Sequence, residues 1–325
     1  MNRTNEMSFP VLEKEPTKIS SCTELLEEFN RKESLTLGKK IFFSGVDEKD
    51  VYNISKPFLM AGEVALAGRV EARGKIADSQ VMFFKLENEI WEPINNAPIL
   101  KLEDGFTANI GGETIIGGVN AYSNPIKDDA ENISYKTDFY RGHDFSSLHK
   151  FATGPEGMKD IRLIAVNNKL GVFTRPQGGE NAGGKIGYIE LNGLEELNAK
   201  NILKAKVIDN QFAVGEWGGA NELHLLANGK IGVLGHIAYR DQNDIRHYYA
   251  TSFVYNPENN QATPIKIIAT RKNFPSGEAK TSELSDVVFP GGLTRHNNGS
   301  ATLYAGLSDA EAGSVNLPDP FLDIK

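Results

Sequence analysis

Polar residues open short strands at intervals of about 60 residues, and their carboxyl and amide groups could do chemistry in one shared pocket. The openers are Asn53, Asp104, Asp160 and Asn221, each followed seven or eight residues later by a tight Gly or Asn turn. A carboxyl such as that of Asp104, beside Gly105 and near other acids, can keep its proton and act as a general acid. The alternative is a turn or capping role, because Asp often begins strands after loops.

Two opener-related pairs combine an acid with an arginine. Asp160 and Arg162 are two residues apart, so in a strand they face the same side. A carboxylate can bind sugar hydroxyls while a guanidinium binds an anion. Arg69 and Glu71 form a similar pair at the end of another strand. The alternative for both pairs is a surface ion pair without a ligand.

The segment 215–241 holds the richest set of candidate binding residues: Trp217, Asn221, Glu222, His236, Tyr239 and Arg240. The tryptophan lies beside two glycines and could stack on a sugar ring. The amide and carboxylate could bind hydroxyls, while the histidine and arginine could bind phosphate. Taken singly, the tryptophan is better explained by core packing and the histidine by a buried, hydrogen-bonded role.

Arg175 precedes a glycine-rich loop at 178–185. No helix follows this loop and the phosphate-loop spacing is absent, so it is interpreted as a hairpin near the mouth of the pocket. The histidines show no zinc-ligand spacing, and neither GxSxG nor a dinucleotide-binding GxGxxG motif occurs. Cys22 lies in the N-terminal arm, which disfavours a cysteine nucleophile. We therefore expect no metal and no cofactor.

The elements that must position these residues are β-branched and aromatic runs separated by Gly and Asn turns. They group into units of four strands, and the segment around Pro290 and Gly291 looks like a fifth unit. This predicts an all-β fold, a five-bladed β-propeller spanning 39–325, in which the openers gather around one axis. A β-sandwich is the alternative.

The N-terminus predicts an arm at 1–38 with a short helix at 23–31, capped by Thr23 and carrying Leu25, Leu26 and Phe29 as its apolar stripe. Residues 39–45 (KKIFFSG) could close the ring by adding a strand to the last unit, whose own sequence stops early. Closure removes the open sheet edge that invites aggregation.

Composition limits the class of protein. The 325 residues carry a net charge of −8, which disfavours a general nucleic-acid surface but not a local basic pocket. No run of about 18 apolar residues occurs, so no membrane span is expected. The single cysteine cannot form an internal disulfide, which favours the cytoplasm.

Four long motifs carry a resemblance to a known family: VYNISKPF with GRVEAR, LEDGFTANIGGETIIGGV, GMKDIRLIAVNNKLGVFTRPQGG and WGGANELHLLANGKIGVLGHIAY. In this order they resemble the mannosyltransferase/phosphorylase family, glycosyltransferase family 108, formerly a domain of unknown function. The similarity covers nearly the whole chain from about Lys39 onward. The family is related to the β-mannoside phosphorylases of glycoside hydrolase family 130 and shares their five-bladed propeller.

The resemblance implies reversible, inverting phosphorolysis of β-1,2-linked mannose to α-mannose 1-phosphate, or synthesis of such chains from an activated mannose. Inorganic phosphate is then a co-substrate, and the partners are a small carbohydrate and phosphate or a sugar phosphate. The family's catalytic aspartate, in a motif usually DPF, maps onto Asp104, with Gly105 replacing the proline.

The family's sugar-binding asparagine maps onto Asn53. Asp160, Asn221 and Glu222 are carried over as sugar ligands. Arg69, Arg175, His236 and Arg240 are chosen for phosphate or further sugar contacts, with Arg162, Trp217 and Tyr239 completing the predicted binding set.

Two other functions remain open at this point. An inverting hydrolase on the same propeller would need a second carboxylate to activate water, and Glu71 or Glu222 could supply it. A carbohydrate-binding propeller without catalysis would need neither, and would place Asp104 in a turn away from any cleft.

Overall fold

The structure of the protein, a computed structural model, describes residues 19–32, 36–74, 78–124, 133–178 and 183–322. Much of the predicted arm and the middle of the glycine-rich loop, 179–182, therefore lie outside the described residues. Helix α1 (Cys22–Lys32) and strand β1 (Lys39–Phe43) come first. Five consecutive groups of mainly antiparallel strands follow, which we call sheet groups. The fold is all-β, as predicted.

The sheet groups follow chain order. The first holds β2 to β6, over Asp50–Tyr52, Phe58–Met60, Glu63–Glu71, Gln80–Glu87 and Ile90–Pro93. The second holds β7 to β10, over Glu103–Ile110, Glu113–Ser123, Ile133–Gly142 and His149–Thr153. The third holds β11 to β14, over Arg162–Val166, Lys169–Thr174, Gly187–Leu191 and Lys206–Val207.

The fourth sheet group holds β15 to β19, over Trp217–Leu225, Ile231–Arg240, Arg246–Asn256, Gln261–Ala262 and Lys266–Ala269. The fifth holds β20 to β22, over Asp286–Arg295, Ser300–Leu307 and Glu311–Pro318, together with β1. Short helical turns cover Leu194–Glu196, Ala199–Ile202 (α2), Arg271–Asn273 and Ser282–Leu284.

Helix α1 begins one residue before the predicted start, because its cap is Ser21 rather than Thr23. The Ser21 hydroxyl accepts a hydrogen bond from the Glu24 amide at 3.2 Å, and the Glu24 carboxylate accepts one from the Ser21 amide at 2.9 Å. This is a capping box. Leu25 and Phe29 are buried against the third and fourth sheet groups, which confirms the predicted apolar stripe.

Strand β1 joins the end of the chain to its beginning. It pairs antiparallel with β22, with Lys39 opposite Ser314, as predicted for 39–45. Its last two residues pair in parallel with β6, with Phe42 opposite Ile90. A second short parallel pairing, His247 with Asp286, links the fourth and fifth groups. In the part of the chain that the structure describes, the fourth, fifth and first groups thereby form one continuous hydrogen-bonded path.

Tight two-residue turns join neighbouring strands, which therefore run antiparallel. Between β11 and β12, Asn167 and Asn168 both have positive φ, 49° and 58°. Two successive positive φ angles define the type I′ turn that matches the twist of paired strands. Gly111 and Gly112, at 62° and 85°, make the equivalent turn between β7 and β8.

Three of the four openers have an unusual backbone conformation. Asn53, Asp104 and Asp160 have φ of 45°, 51° and 57°, in the left-handed region that Asn and Asp tolerate better than most residues. Register shifts that mark β-bulges lie between Glu103 and Phe106 and between Ala220 and Glu222. A bulge re-aims the side chain at that point. The repeat therefore places each opener where the regular ladder is interrupted.

The fifth sheet group has the same irregularity without a functional side chain. Its register shift lies between Pro290 and Gly292, so Gly291 takes the opener position. A Cβ atom at Gly291 would lie 1.4 Å from the carbonyl oxygen of Ile54. Only glycine fits there, because the fifth group's backbone lies directly against the chain that follows Asn53.

The hydrophobic core is divided among the junctions of the sheet groups. In the described residues, five buried clusters pack the first group on the second, the second on the third, the third on the fourth, the fourth on the fifth and the fifth on the first. The last of these packs Ala312 and Tyr304 against Ile54 and Val51. Each group is thus buried on two sides by its neighbours, in cyclic order.

Candidate active site

Asp104 lies in a network of hydrogen bonds between the first and second sheet groups. Its Oδ1 accepts a hydrogen bond from the Asn53 amide at 2.7 Å and another from the Arg69 guanidinium at 3.1 Å. Its side chain keeps 13% of its surface exposed. The structure therefore brings together three predicted site residues, and leaves a solvent-accessible edge on the carboxyl.

The guanidinium of Arg69 organises the acids around Asp104. Its Nε donates to Ser79 Oγ at 3.0 Å, and its Nη2 lies 3.4 Å from both Glu71 and Glu103 carboxylates. The ring of Tyr52 lies 5.1 Å from its Cζ. Because every edge of this planar fork is held, Asp104 is positioned by a nearly immobile partner.

Glu71 is a fully engaged acid rather than a free base. Besides Arg69, it accepts hydrogen bonds from the Tyr52 hydroxyl and the Lys280 ammonium group. It is 2% exposed. Burial would raise the pKa of Glu71, but Arg69 and Lys280 outweigh that effect and hold the pKa below its ordinary value.

Two further acids surround this network that the sequence did not single out. Burial, together with the charge of Asp104, raises the pKa of Glu103 despite the opposing effect of Arg69. Burial likewise raises the pKa of Asp309, in the turn between β21 and β22. Glu103 could have been found as the neighbour of an opener. Nothing in the local sequence marks Asp309 or Lys280.

Gly105, which stands where the family motif has proline, is explained by a close neighbour. A Cβ atom at this position would lie 2.9 and 3.0 Å from the two methyl groups of Val81. Val81 is fully buried, so it cannot move aside cheaply. The space that a larger residue needs is occupied by Val81, while Asp104 keeps its place in β7.

The second set of candidates is centred on Asp160, at the third and fourth sheet groups. Its carboxylate lies 3.1 Å from Arg175 Nη1 and 3.8 Å from Arg162 Nη2. All three side chains are buried. Burial would raise the pKa of Asp160, but chiefly Arg175 lowers it below its ordinary value, so the carboxylate is ionised.

Both arginines also donate hydrogen bonds to backbone carbonyls, and each of them has one such partner in β15. Arg175 donates to the carbonyls of Gly218 and Gly183, each at 2.8 Å. Arg162 donates to the carbonyl of Asn221 at 2.7 Å, and its Cζ lies 4.4 Å from the ring of Phe106. Phe106 belongs to the same strand as Asp104, so Arg162 connects the two sets of candidates.

His236 and Asn221 complete the Asp160 set. His236 Nδ1 lies 2.8 Å from Asn221 Oδ1, and its ring stacks on Tyr248 at 5.7 Å. Burial lowers the pKa of His236 to about 3, so the ring is neutral at physiological pH. Trp217 donates its indole N–H to the Tyr248 hydroxyl at 3.0 Å and is only half-buried, which leaves part of its ring available to a ligand.

Among the described residues, three buried side-chain amide atoms have no hydrogen-bond partner: Asn53 Oδ1, Gln177 Nε2 and Asn221 Nδ2. Two of these atoms belong to the openers Asn53 and Asn221. A buried polar atom without a partner is costly, and at a binding site a ligand can supply the missing hydrogen bond. This observation favours a polar ligand near the openers.

Glu222 is in a different environment from its neighbour Asn221. It pairs with Lys56 at 2.6 Å and His224 at 2.9 Å, and accepts a hydrogen bond from the Leu293 amide at 2.6 Å. Burial would raise the pKa of Glu222, but chiefly His224 and then Lys56 lower it to about 2. These residues line a cavity of about 640 Å³, and Arg162 and Asn221 line it as well.

Tyr239 and Arg240 are not brought into contact with the other candidates in the described residues. Tyr239 stacks on His247 at 4.5 Å, and Arg240 pairs with Asp244 with 41% of its side chain exposed. β16 extends two residues beyond the partner of Trp217, Ala238, which carries Arg240 into solvent.

The two sets differ in their proportion of acidic to basic groups. Around Arg69 and Lys280 stand four carboxyl groups: Glu71, Glu103, Asp104 and Asp309. Around the single carboxylate of Asp160 stand two guanidinium groups, those of Arg162 and Arg175, so this set carries a net charge of +1. An acidic set can donate a proton and a basic set can bind an anion.

The described ranges hold no cluster of three or more His, Cys, Asp or Glu side chains arranged as metal ligands. Across the same parts of the chain, no helix combines the length and the apolar character that a membrane crossing requires.

Comparisons with known proteins identify the family. The model of a family described as a protein of unknown function (DUF1861) matches residues 27–323. No curated protein matches the chain. Among solved structures, the chain is 35% identical to MPT-4, a mannose phosphorylase from Leishmania mexicana in complex with phosphate ion, with a TM-score of 0.83 over 92% of this chain and 93% of that one.

A second solved structure is equally similar in sequence. MPT-1, a GDP-Man-dependent mannosyltransferase from Leishmania mexicana, is 35% identical, with a TM-score of 0.84 over 94% of this chain and 96% of that one. A β-1,2-mannobiose phosphorylase from Listeria innocua shares the fold at 12% identity, with a TM-score of 0.57 over 83% and 89% of the two chains. With such identity along nearly its whole length, the chain belongs to the mannosyltransferase/phosphorylase family of enzymes that its motifs predicted.

Proposed function

We propose that the protein catalyses the reversible, inverting phosphorolysis of β-1,2-linked mannose to α-mannose 1-phosphate. The observation that carries this proposal is the pairing of an acid-rich set around Asp104 with a set around Asp160 that has a net positive charge. Support comes from the phosphate-bound mannose phosphorylase of Leishmania mexicana, which shares 35% of its residues with this chain.

In the proposed reaction, Asp104 gives its proton to the oxygen of the leaving sugar, directly or through a hydroxyl of the mannose ring. The bond between the anomeric carbon and that oxygen breaks as a phosphate oxygen bonds to the same carbon from the opposite face. The Asn53 amide and the Arg69 guanidinium hold Asp104 in place. Positioning and charge stabilisation supply most of the rate enhancement.

The anion-binding role falls to Arg162 and Arg175, because each keeps N–H groups beyond those used for backbone carbonyls. His236, neutral and fixed by Asn221, contributes hydrogen bonding rather than charge. Asn53, Asp160, Asn221 and Trp217 are assigned to the sugar.

We further propose that the five sheet groups are the blades of a five-bladed propeller, forming one catalytic domain over 39–325 behind an arm at 1–38. The cyclic order of the five core clusters and the pairing of β1 with β22 support a ring. The protein would work in the cytoplasm on a small carbohydrate, with phosphate as co-substrate and without a cofactor, nucleic acid or membrane.

Hydrolysis fits the geometry less well. An inverting hydrolase needs a carboxylate free to activate water. Glu71 and Glu222 each accept hydrogen bonds from several donors, and both have a lowered pKa, which makes them weak bases. A function limited to carbohydrate binding would leave the held but accessible carboxyl of Asp104 without a role.

Mannosyl transfer from a nucleotide sugar is the second candidate, favoured by the equal identity to the GDP-Man-dependent mannosyltransferase. One experiment separates the candidates. The purified protein is incubated with β-1,2-mannobiose with and without phosphate, and in a parallel reaction with GDP-mannose and mannobiose. Mannose 1-phosphate formed only with phosphate supports phosphorolysis. Free mannose without phosphate would identify a hydrolase, and longer chains from GDP-mannose a transferase.

A further inference from the structure

A cavity of about 360 Å³ lies between the first and second sheet groups, and its lining includes Glu103, the neighbour of Asp104. We call it the side cavity. Its polar walls are Ser79, Gln80, Glu103, Asn120 and Tyr122, and its apolar part includes Leu102. The volume falls within the usual range for small-molecule sites.

Arg69 connects the side cavity directly to Asp104. The same guanidinium that donates to Asp104 at 3.1 Å donates to Ser79 at 3.0 Å and lies 3.4 Å from Glu103. Two lining residues and Asp104 therefore surround one planar group. The side cavity is therefore linked to Asp104 through Ser79 and Glu103, the two lining residues that contact Arg69.

The polar groups of the side cavity are held in fixed directions. The Asn120 amide donates to Asp138 at 2.7 Å, and the Tyr122 hydroxyl donates to Glu156. Pre-oriented amide, hydroxyl and carboxyl groups beside an apolar floor suit a neutral sugar ring. The lining has two acids, Asp78 and Glu103, against Lys101 alone, so it does not suit phosphate.

Inversion places the incoming phosphate and the departing sugar on opposite faces of the anomeric carbon. The cations stand around Asp160, whereas the proton donor Asp104 must lie on the side of the departing sugar. We propose that the side cavity binds the departing sugar units of the mannoside, which are the acceptor in the reverse direction. This inference rests on the proposed function and deepens it.

The test measures the reverse reaction from α-mannose 1-phosphate and β-1,2-mannobiose in two variants. Ala121→Trp fills the cavity from β8, and Gln80→Ala removes one polar wall. We expect the KM for the acceptor to rise about tenfold in Ala121→Trp, equivalent to about 1.4 kcal/mol. The KM for mannose 1-phosphate should change by less than about twofold, because that sugar binds on the other side.

Matched controls are Ala262→Trp and Gln261→Ala, two exposed neighbours in the fourth sheet group, which should leave both constants unchanged. Should Ala121→Trp fail to fold, Gln80→Ala decides the question by the same comparison. An unchanged acceptor KM in the folded variants overturns the proposal.

Failure of the proposed function would be recognised separately, as absence of turnover in the unsubstituted protein. Calorimetric titration with β-1,2-mannobiose then tests the side cavity alone. Weaker binding in Ala121→Trp than in Ala262→Trp supports it, and equal binding rejects it.

Discussion

The sets around Asp104 and Asp160 use the same residue types in opposite proportions. Around Asp104, several carboxyls share the cations Arg69 and Lys280, and burial raises the pKa of Glu103 and Asp309. Around Asp160, two arginines share one carboxylate, whose pKa is lowered. Two openers at equivalent positions of the repeat therefore have different charged surroundings, because their neighbouring residues differ. The fold thus sets where a side chain lies, while the balance of charges around it determines its chemistry.

The substitution with the largest expected effect on this comparison is Asp104→Asn. The amide keeps the shape but cannot give up a proton, so kcat should fall about 10²- to 10⁴-fold with little change in thermal unfolding. Turnover and melting temperature are measured together. Asp244→Asn is the matched control, since Asp244 also has a positive φ and pairs with an arginine, and it should retain activity. Full activity in Asp104→Asn would remove the acid role from this set.

The second test concerns the basic set. Arg175→Lys keeps the charge but loses the fork that joins Asp160 to two carbonyls. Hydrogen bonds of charged groups are worth about 1.5–3 kcal/mol, so the KM for phosphate should rise about tenfold or more. Arg240→Lys is the control, and its phosphate KM should stay constant. Equal effects of the two substitutions would show that the guanidinium fork of Arg175 does not hold the phosphate.

The smallest expected effect concerns the protonation of His236. Burial lowers the pKa of this residue to about 3. Below pH 6.5 the unfolded chain takes up a proton on this residue and the folded chain does not, so stability falls as pH falls. From pH 6.5 to 5.5 the loss is about 1 kcal/mol. His236→Gln should lose that much less than the unsubstituted protein in urea unfolding, and the exposed His143→Gln serves as control. Identical losses would mean that the ring is protonated in the folded state.

Sequence periodicity predicted the all-β fold and the pairing of β1 with the last strand of the chain. It also predicted that openers come together, as Asn53 and Asp104 do. These follow from local patterns, because alternation and turn residues act over a few positions. Lys280 and Asp309 could not be predicted, since both come from turns that packing brings to the first sheet group.

The sequence alone also could not predict that Glu222 lies in a different environment from Asn221. Regular alternation would only tell that Asn221 and Glu222 face opposite sides. The bulge at Asn221 decides which side each one takes, and it directs Glu222 to Lys56 and His224. Helix α1 differed from the predicted 23–31 by one residue at each end and by its cap, because Ser21 and Glu24 form a reciprocal pair.

Gly291 bears on any attempt to redesign this scaffold. Its backbone lies so close to the carbonyl of Ile54 that any side chain introduced there would force the first and last sheet groups to separate. A redesign that transfers reactive residues from one repeat to another therefore has four usable positions. The fifth must remain glycine, because the first and last sheet groups are in direct backbone contact there.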